Sequence, residues 1–481
     1  MSSCSICETL DNISEDSEDW IQCDICGKWF HVKCLNMKSS DVNEILSYHC
    51  KKCEHSKGAS ILKRRSKRAK VNIDYVALND GDSFAIDKSI HPHVHKFHDF
   101  PVHVDRTKGV YVDIMDTLTF DYAVSTKLKR PILIPCESEI DVGMKLPCKK
   151  DSITIDYILD KVGDDQPVEV MDVLSQQGVS PGWNMKQWRD YFSTDKESRD
   201  RIRNVISLEV SSVDGMGKDF TRPQMVEELD LVDKVWNDPS DRPQVTKYCL
   251  MSVGGSFTDF HIDFGATSVY YTVLSGAKTF LMFPPTTDNL SLYTSWCLEQ
   301  DQNYMWYPEY SKTLHGKATT PSDGFKVTLK PGDVFIIPSG WIHCVYTPED
   351  SLVIGGNFLT TMNMKTQLDV YNIEKKTGVP LKFRHPQFNK VIWLASYYYL
   401  NNKQEFVKDI GYVKPEVKEE SDDLPVVNHP KTIISTMIKH LEDHYQTSKT
   451  SQVAKKSIPT QLIGKDIPDY LSKLESWYNE F

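Results

Sequence analysis

The chain has 481 residues, 40% hydrophobic and 11% aromatic, enough apolar mass for two to four folded domains and too much for a wholly disordered protein. Its formal net charge of −11 excludes a basic nucleic-acid coat. The first residues lack the charged and apolar stretches of a secretory signal, and no apolar run approaches the roughly 18 residues of a membrane span, so the expectation is a soluble, intracellular protein without membrane contact.

Seven of the twelve cysteines lie in the first 53 residues. With one histidine they form four pairs: Cys4 and Cys7, Cys23 and Cys26, His31 and Cys34, Cys50 and Cys53. Without a secretory signal this pattern reads as metal binding, eight ligands for two tetrahedral Zn(II) sites. So short a segment buries little apolar surface, and metal binding would supply its folding energy. Residues 1–53 carry nine Asp/Glu against five Lys/Arg, which suits a basic partner. Cys136, Cys148, Cys249, Cys297 and Cys344 are scattered singly and read as ordinary residues.

Four cysteines, one histidine and three more cysteines, with Trp29-Phe30 leading into His31, resemble a PHD finger. The resemblance implies a cross-brace, in which pairs one and three share one zinc ion and pairs two and four the other. It also implies a histone H3 tail as partner, with Trp20 and Trp29 at positions where relatives carry the aromatics of a methylammonium cage; Trp29 reads equally as packing against a zinc site. The chain departs from the family pattern at Ser3, where an aromatic is frequent, and at Tyr48, where tryptophan is usual.

Six of the eight residues from Lys63 to Lys70 are basic. This run reads as a nuclear localisation signal, a DNA-phosphate contact or a solvated spacer. Residues 73–79 look helical. Residues 110–112, 131–135 and 168–173 look like short strands, and 182–192 carry aromatics at the spacing of a helix with a core face. His91, His93, His95 and His98 form a polar patch that reads as an exposed loop, because no partner stands at a recognised ligand spacing.

Strands are expected at 248–253, 258–264 and 268–274, then, after a tight Ser275-Gly276 turn, at 278–283. More are expected at 325–329, 334–337 and 343–346. Short strands with little helix between them favour an antiparallel barrel or double-sheet jelly roll, in a chain of mixed α+β class overall. Within them, Thr258-Asp259-Phe260-His261-Ile262-Asp263 sets a histidine and a carboxylate two apart, on one face if the segment is a strand. His343, ending Ile337-Pro338-Ser339-Gly340-Trp341-Ile342-His343, is the best third ligand. Two imidazoles and one carboxylate with open positions form the facial triad of non-haem Fe(II) oxygenases. An anionic 2-oxo acid fits such a centre. Lys278 can meet its distal carboxylate, and Thr258 and Tyr271 can supply hydroxyls. Singly, His343 would read as a hydrogen-bonded core residue and Lys278 as a strand-edge charge; their joint context favours the site.

These stretches, with Asn204-Val205-Ile206-Ser207-Leu208-Glu209, Thr267-Ser268-Val269-Tyr270-Tyr271 and Gly355-Gly356-Asn357-Phe358, resemble the JmjC oxygenases, closely the PHD-containing lysine-demethylase subgroup. The resemblance covers residues 1 to about 400 and implies a double-stranded β-helix core. It implies Fe(II) on His261, Asp263 and His343, and 2-oxoglutarate on Thr258, Lys278, Asn204 and Tyr271, with O2 as second co-substrate. The reaction implied is demethylation of mono- and dimethylated lysine-36 of histone H3 in the nucleus, releasing formaldehyde and succinate, with the nucleosome as partner. A chromatin reader on a non-catalytic barrel and an oxygenase for a non-histone protein are the competing classes.

Near the carboxyl end, residues 366–377 look like a helix stopped by Gly378, and 391–400 like a buried helix. Residues 413–431 read as a charged, proline-rich loop. Residues 433–441 and the segment around Leu471, Leu474 and Trp477 are amphipathic and are expected to pack beside the barrel. The organisation expected is a finger at 1–55, a basic linker at 56–72, a flank at 73–209, a catalytic domain at 210–375 and a helical region at 376–481.

Overall fold

The computed structural model describes residues 4–7, 20–37, 42, 45–62, 90–136, 142–146, 152–211, 216–238, 241–413 and 429–481. The helix expected at 73–79, the basic run at 63–70 and most of the 413–431 loop lie outside these residues. The chain divides into two units, residues 1–80 and 81–481.

In the first unit, β1 (Trp20–Gln22) and β2 (Trp29–His31) pair antiparallel, Trp20 opposite His31 and Gln22 opposite Trp29. Alternation sends Ile21 and Phe30 into a small core with Val32, Tyr48, Cys23 and Cys50. Trp20 and Trp29 share the other face of the hairpin with His31.

Among the described residues of the second unit, the first helix is α1 (His93–Asp99), where an exposed loop was expected. His91 and His93 are buried because their rings meet Phe257 and Trp306, residues far away in sequence. The strand expected at 110–112 falls at Asp113–Ile114: Val110 is exposed, and pairing to β3 (Ile132–Ile134) starts only at Asp113. The run at 168–173 divides into Pro167–Val168 and Met171–Asp172, which pair with different partners. α2 (Met185–Phe192) opens with a capping box between Asn184 and Gln187 and buries Trp188.

The barrel is built from β4 (Arg203–Glu209), β5 (Tyr248–Ser252), β6 (Phe257–His261), β7 (Ser268–Phe283), β8 (Phe325–Leu329), β9 (Val334–Ile337) and β10 (Ile342–Phe358). No hairpin turn interrupts β7 at Ser275-Gly276, contrary to expectation. The strand runs through with register slips against β10 between Val273 and Thr279. Gly276 has φ +70, and a Cβ there would lie 2.1 Å from the Asp350 carbonyl oxygen, so the glycine makes a bulge pressed against the paired strand β10.

Both long strands serve two layers. The first half of β7 pairs β9, Val269 opposite Ile337, and its second half pairs β8, Lys278 opposite Leu329. β10 pairs β6 early, His261 opposite His343, and β5 late, Tyr248 opposite Gly355. β4 extends one layer beside β5, and β3 extends it beside β9. The result is the expected jelly roll in a mixed α+β chain. Val269, Tyr271, Val273, Phe280, Phe325, Val327 and Phe335 fill its interior. The opposite strand faces, with Val205, Met251, Phe257 and Cys344, pack against the flank around Trp188.

After the barrel come α3 (Met364–Thr377), α4 (Phe388–Asn401), α5 (Pro430–Ser448) and α6 (Ile467–Tyr478), all where helices were expected. Gly378, at φ +72, ends α3 in the left-handed conformation. Trp393, Tyr399, Leu441, Leu474 and Trp477 form their shared core. Among the described residues no helix is long and apolar enough to cross a membrane.

Candidate functional site

His261 closes β6 and His343 sits second on β10, directly opposite it. Their ring centroids are 4.4 Å apart. Asp263 does not continue the strand, as the i, i+2 reading required: β6 ends at His261, and a turn follows. The turn still delivers the carboxylate. Asp263 Oδ2 lies 3.9 Å from His343 Nε2, and one ligand atom from each of the three residues falls within 4.8 Å of the others.

The hydrogen bonds of the rings fit a metal. His261 Nδ1 lies 2.8 Å from the Asp259 carbonyl, and His343 Nδ1 3.1 Å from the Trp341 carbonyl. A carbonyl only accepts, so each Nδ1 carries the proton and each Nε2 keeps its lone pair for a cation. Burial, aided by the neighbouring His261, pushes His343 down to about 3, so its imidazole is neutral. Burial pushes the Asp263 carboxyl up to about 6, a cost that a cation in the cluster would remove. The Asp263 side chain keeps 23% of its surface exposed, so the cluster has an open side.

Other residues hold these ligands in place and were not legible in the sequence. Gln176 lines the free edge of β6: its amide nitrogen donates to the Phe257 carbonyl at 2.9 Å, and its amide oxygen accepts from Asp259 N–H at 3.1 Å. The same nitrogen donates to the Val173 carbonyl at 2.7 Å. Gln176 itself is left-handed, φ +54, an uncommon conformation for a non-glycine residue. Ser339, four residues before His343, donates to the Ala266 carbonyl at 2.7 Å and so ties the loops carrying Asp263 and His343 together. Gln176→Ala is expected to destabilise the fold by about 1–3 kcal/mol, read by denaturant titration, because the backbone groups it satisfies become unpaired.

Farther along the barrel interior is a set of buried polar side chains. Alternation directs Asn204 of β4, Ser252 of β5, Thr258 of β6 and Thr347 of β10 inward, since their neighbours Val205, Met251 and Phe257 face outward. Lys278 joins the two layers: its ammonium donates to Ser252 Oγ at 2.5 Å and Thr347 Oγ1 at 2.7 Å, with the residue only 3% exposed. Neutral hydroxyls compensate this charge poorly, and burial brings its pKa down to about 7. Asn204 Nδ2 reaches Thr258 Oγ1 at a long 3.4 Å, and its buried Oδ1 has no partner. Tyr271 lies in the same interior, its ring 5.3 Å from that of Phe280. Phe280 in turn is 5.9 Å from the His343 ring, which links these side chains and the cluster. A buried ammonium and hydroxyl donors in one barrel interior with a candidate cation site fit a small dianion, which only accepts; the unpartnered Asn204 Oδ1 is itself an acceptor and adds nothing to that fit.

In the finger unit, Cys4, Cys7, His31 and Cys34 form one cluster, and Cys23, Cys26, Cys50 and Cys53 another. This is the grouping that the PHD resemblance implies. Backbone N–H groups of His31 and Cys50 donate to the sulfurs of Cys4 and Cys23, both at 3.3 Å, an arrangement that favours thiolates. The chemistry of the donors fits zinc. Trp20 packs on His31 at 3.9 Å between ring centroids, while Trp29 is half-buried on the same hairpin face.

Comparison with known proteins matches three segments of the chain to families. A PHD-finger family matches residues 4–53, a cupin-like domain family residues 152–367, and a Jumonji helical domain family residues 362–475. A Debaryomyces hansenii protein named JmjC domain-containing histone demethylation protein 1 is 57% identical over 99% of this chain and 98% of its own length. The protein of that name from Candida albicans is 53% identical over 99% and 97%, and that from Saccharomyces cerevisiae 36% identical over 85% and 89%. The chain therefore belongs to the JmjC domain-containing histone demethylation protein 1 family, whose cupin-like core is that of Fe(II)- and 2-oxoglutarate-dependent oxygenases.

Proposed function

We propose that the protein is a nuclear histone lysine demethylase acting on mono- and dimethylated lysine-36 of histone H3. The observation that carries the reading is the cluster of His261, Asp263 and His343, within 4.8 Å, beside the buried ammonium of Lys278. The names of the relatives support histone demethylation; the choice of lysine-36 and of methylation state rests on the subgroup that the sequence resembles. Bound together, Fe(II), 2-oxoglutarate and O2 supply the oxidising equivalents for N-methyl hydroxylation, and 2-oxoglutarate leaves as succinate and carbon dioxide.

The chain's own residues do the positioning. His261 and His343 would hold Fe(II) through Nε2, and Asp263 through its carboxylate. Lys278 would pair with the distal carboxylate of 2-oxoglutarate, and the Thr258 and Tyr271 hydroxyls and the Asn204 amide N–H would donate to the same anion. Phe280 and the apolar barrel interior keep water from this end of the barrel. The hydroxymethyl amine then collapses to formaldehyde and the amine, a step that needs no further group. Two zinc ions on the cysteine–histidine clusters would fold the finger, and Trp20 and Trp29 would meet the H3 tail on their shared face. The basic run at 63–70 supports contact with nucleosomal DNA phosphates.

The test is a panel of methylated H3 peptides with Fe(II), ascorbate and 2-oxoglutarate. Formaldehyde release is expected with lysine-36 mono- and dimethyl peptides, and none from His261→Ala. Peptide binding without formaldehyde would instead establish a reader. Stable hydroxylation of another protein, seen by mass spectrometry, would overturn the histone assignment.

A further inference from the structure

The turn that carries Asp263 is strained and held from outside. The Asp263 carbonyl accepts from Ala266 N–H at 2.9 Å, and Gly265 and Ala266 both have positive φ, +59 and +48. Two consecutive left-handed residues, one of them alanine, persist only where surrounding structure over-determines them. Ser339 supplies one tether at the Ala266 carbonyl, and Asn357 Nδ2 another at Thr267 Oγ1, 2.7 Å away.

The third tether comes from α3, in the region matching the Jumonji helical domain. Glu374 is only 6% exposed, and its Oε1 accepts from Gly265 N–H at 2.6 Å across 109 residues. Its own place is fixed from behind: Arg384 Nη2 and Val379 N–H both donate to the Glu374 carbonyl, each at 3.0 Å. His385 and Phe388 close over the same turn, so that a Cβ on Gly265 would lie 3.1 Å from His385 and 3.2 Å from Phe388. Without Glu374 the buried Gly265 N–H loses its acceptor, and the turn loses its link to α3.

We propose that Glu374 is a positioning residue for the metal centre, and that through it the helical region sets the placement of Asp263. The inference rests on the reading that Asp263 binds the metal. It gives the carboxyl-terminal helices a part in the chemistry beyond packing, exerted through one hydrogen bond to a backbone amide two residues past the ligand.

Mn(II) tests this, since a hard cation favours the His/carboxylate centre over thiolate sites. The zinc-loaded full chain is titrated with Mn(II), the free ion is followed by electron paramagnetic resonance, and melting is recorded for each variant. Glu374→Ala is expected to weaken Mn(II) binding by about tenfold or more at temperatures where it is fully folded. Glu374→Gln, whose amide oxygen still accepts from Gly265, is expected to retain wild-type affinity. Equal affinity in wild type and Glu374→Ala overturns the inference alone, as does an equal loss in both variants. No Mn(II) binding by wild type overturns the inference and the metal-centre reading together. Should Glu374→Ala fail to fold, Glu374→Asp, which withdraws the acceptor by one methylene, carries the comparison with Glu374→Gln.

Discussion

Asp263→Ala is expected to abolish formaldehyde release and to weaken Mn(II) or Fe(II) binding by more than roughly 100-fold, the upper range for losing a residue that merely supports a metal ligand. Two neutral imidazoles remain, and they neither balance a divalent charge nor complete a facial set. The fold should survive. Burial holds the Asp263 carboxyl at about 6, well above the usual range, so in the metal-free protein this group is a cost. Its removal is expected to leave the melting temperature unchanged or higher, the stability–activity trade seen at other sites. A melting curve and a metal titration on the same sample separate the two effects. Full activity in Asp263→Ala would move the centre elsewhere.

Lys278→Met is expected to raise the KM for 2-oxoglutarate by about 30-fold or more, the loss that follows truncation of one partner of a buried, hydrogen-bonded charge pair. The metal-free protein should melt higher, because an ammonium satisfied only by Ser252 and Thr347 gives way to an apolar chain of similar length. pH gives a second readout. The free ammonium titrates at about 7, and a bound carboxylate favours its protonated form. Affinity for 2-oxoglutarate is then full below pH 7 and falls as pH rises above it, by up to about tenfold per unit. Lys278→Met should flatten this profile. A profile unchanged by the substitution would sever Lys278 from co-substrate binding.

The parts of the site legible in the sequence were those set by short spacing. His261 and Asp263 stand two apart, and the Pro338-Ser339-Gly340 turn marks His343 as the start of a strand. The cysteine pairs of the finger are legible for the same reason. What the sequence hid depends on distant pairing. Ser275-Gly276 reads as a hairpin turn, and only pairing with β10 along the whole strand shows it to be a bulge. Thr258 to Phe264 reads as one strand, yet β6 stops at His261, where the tethered turn begins. His91 and His93 look solvent-facing until Phe257 and Trp306 arrive to cover them. The contacts of Gln176 and Glu374 with the site carry no local signal, since they reach backbone groups 81 and 109 residues away.

The sharing of β7 and β10 between both layers bears on how the protein is made. Ser268 pairs with Phe358, so the barrel closes only between segments some ninety positions apart, a topology that folds slowly. On a ribosome the chain emerges amino end first, and β6 and β7 must wait with unpaired edges until β10 is synthesised. His343 arrives on that last strand, and Glu374 later still. On the proposed reading, no nascent chain ending before His343 carries all three ligands, so metal capture would be a late event in biogenesis.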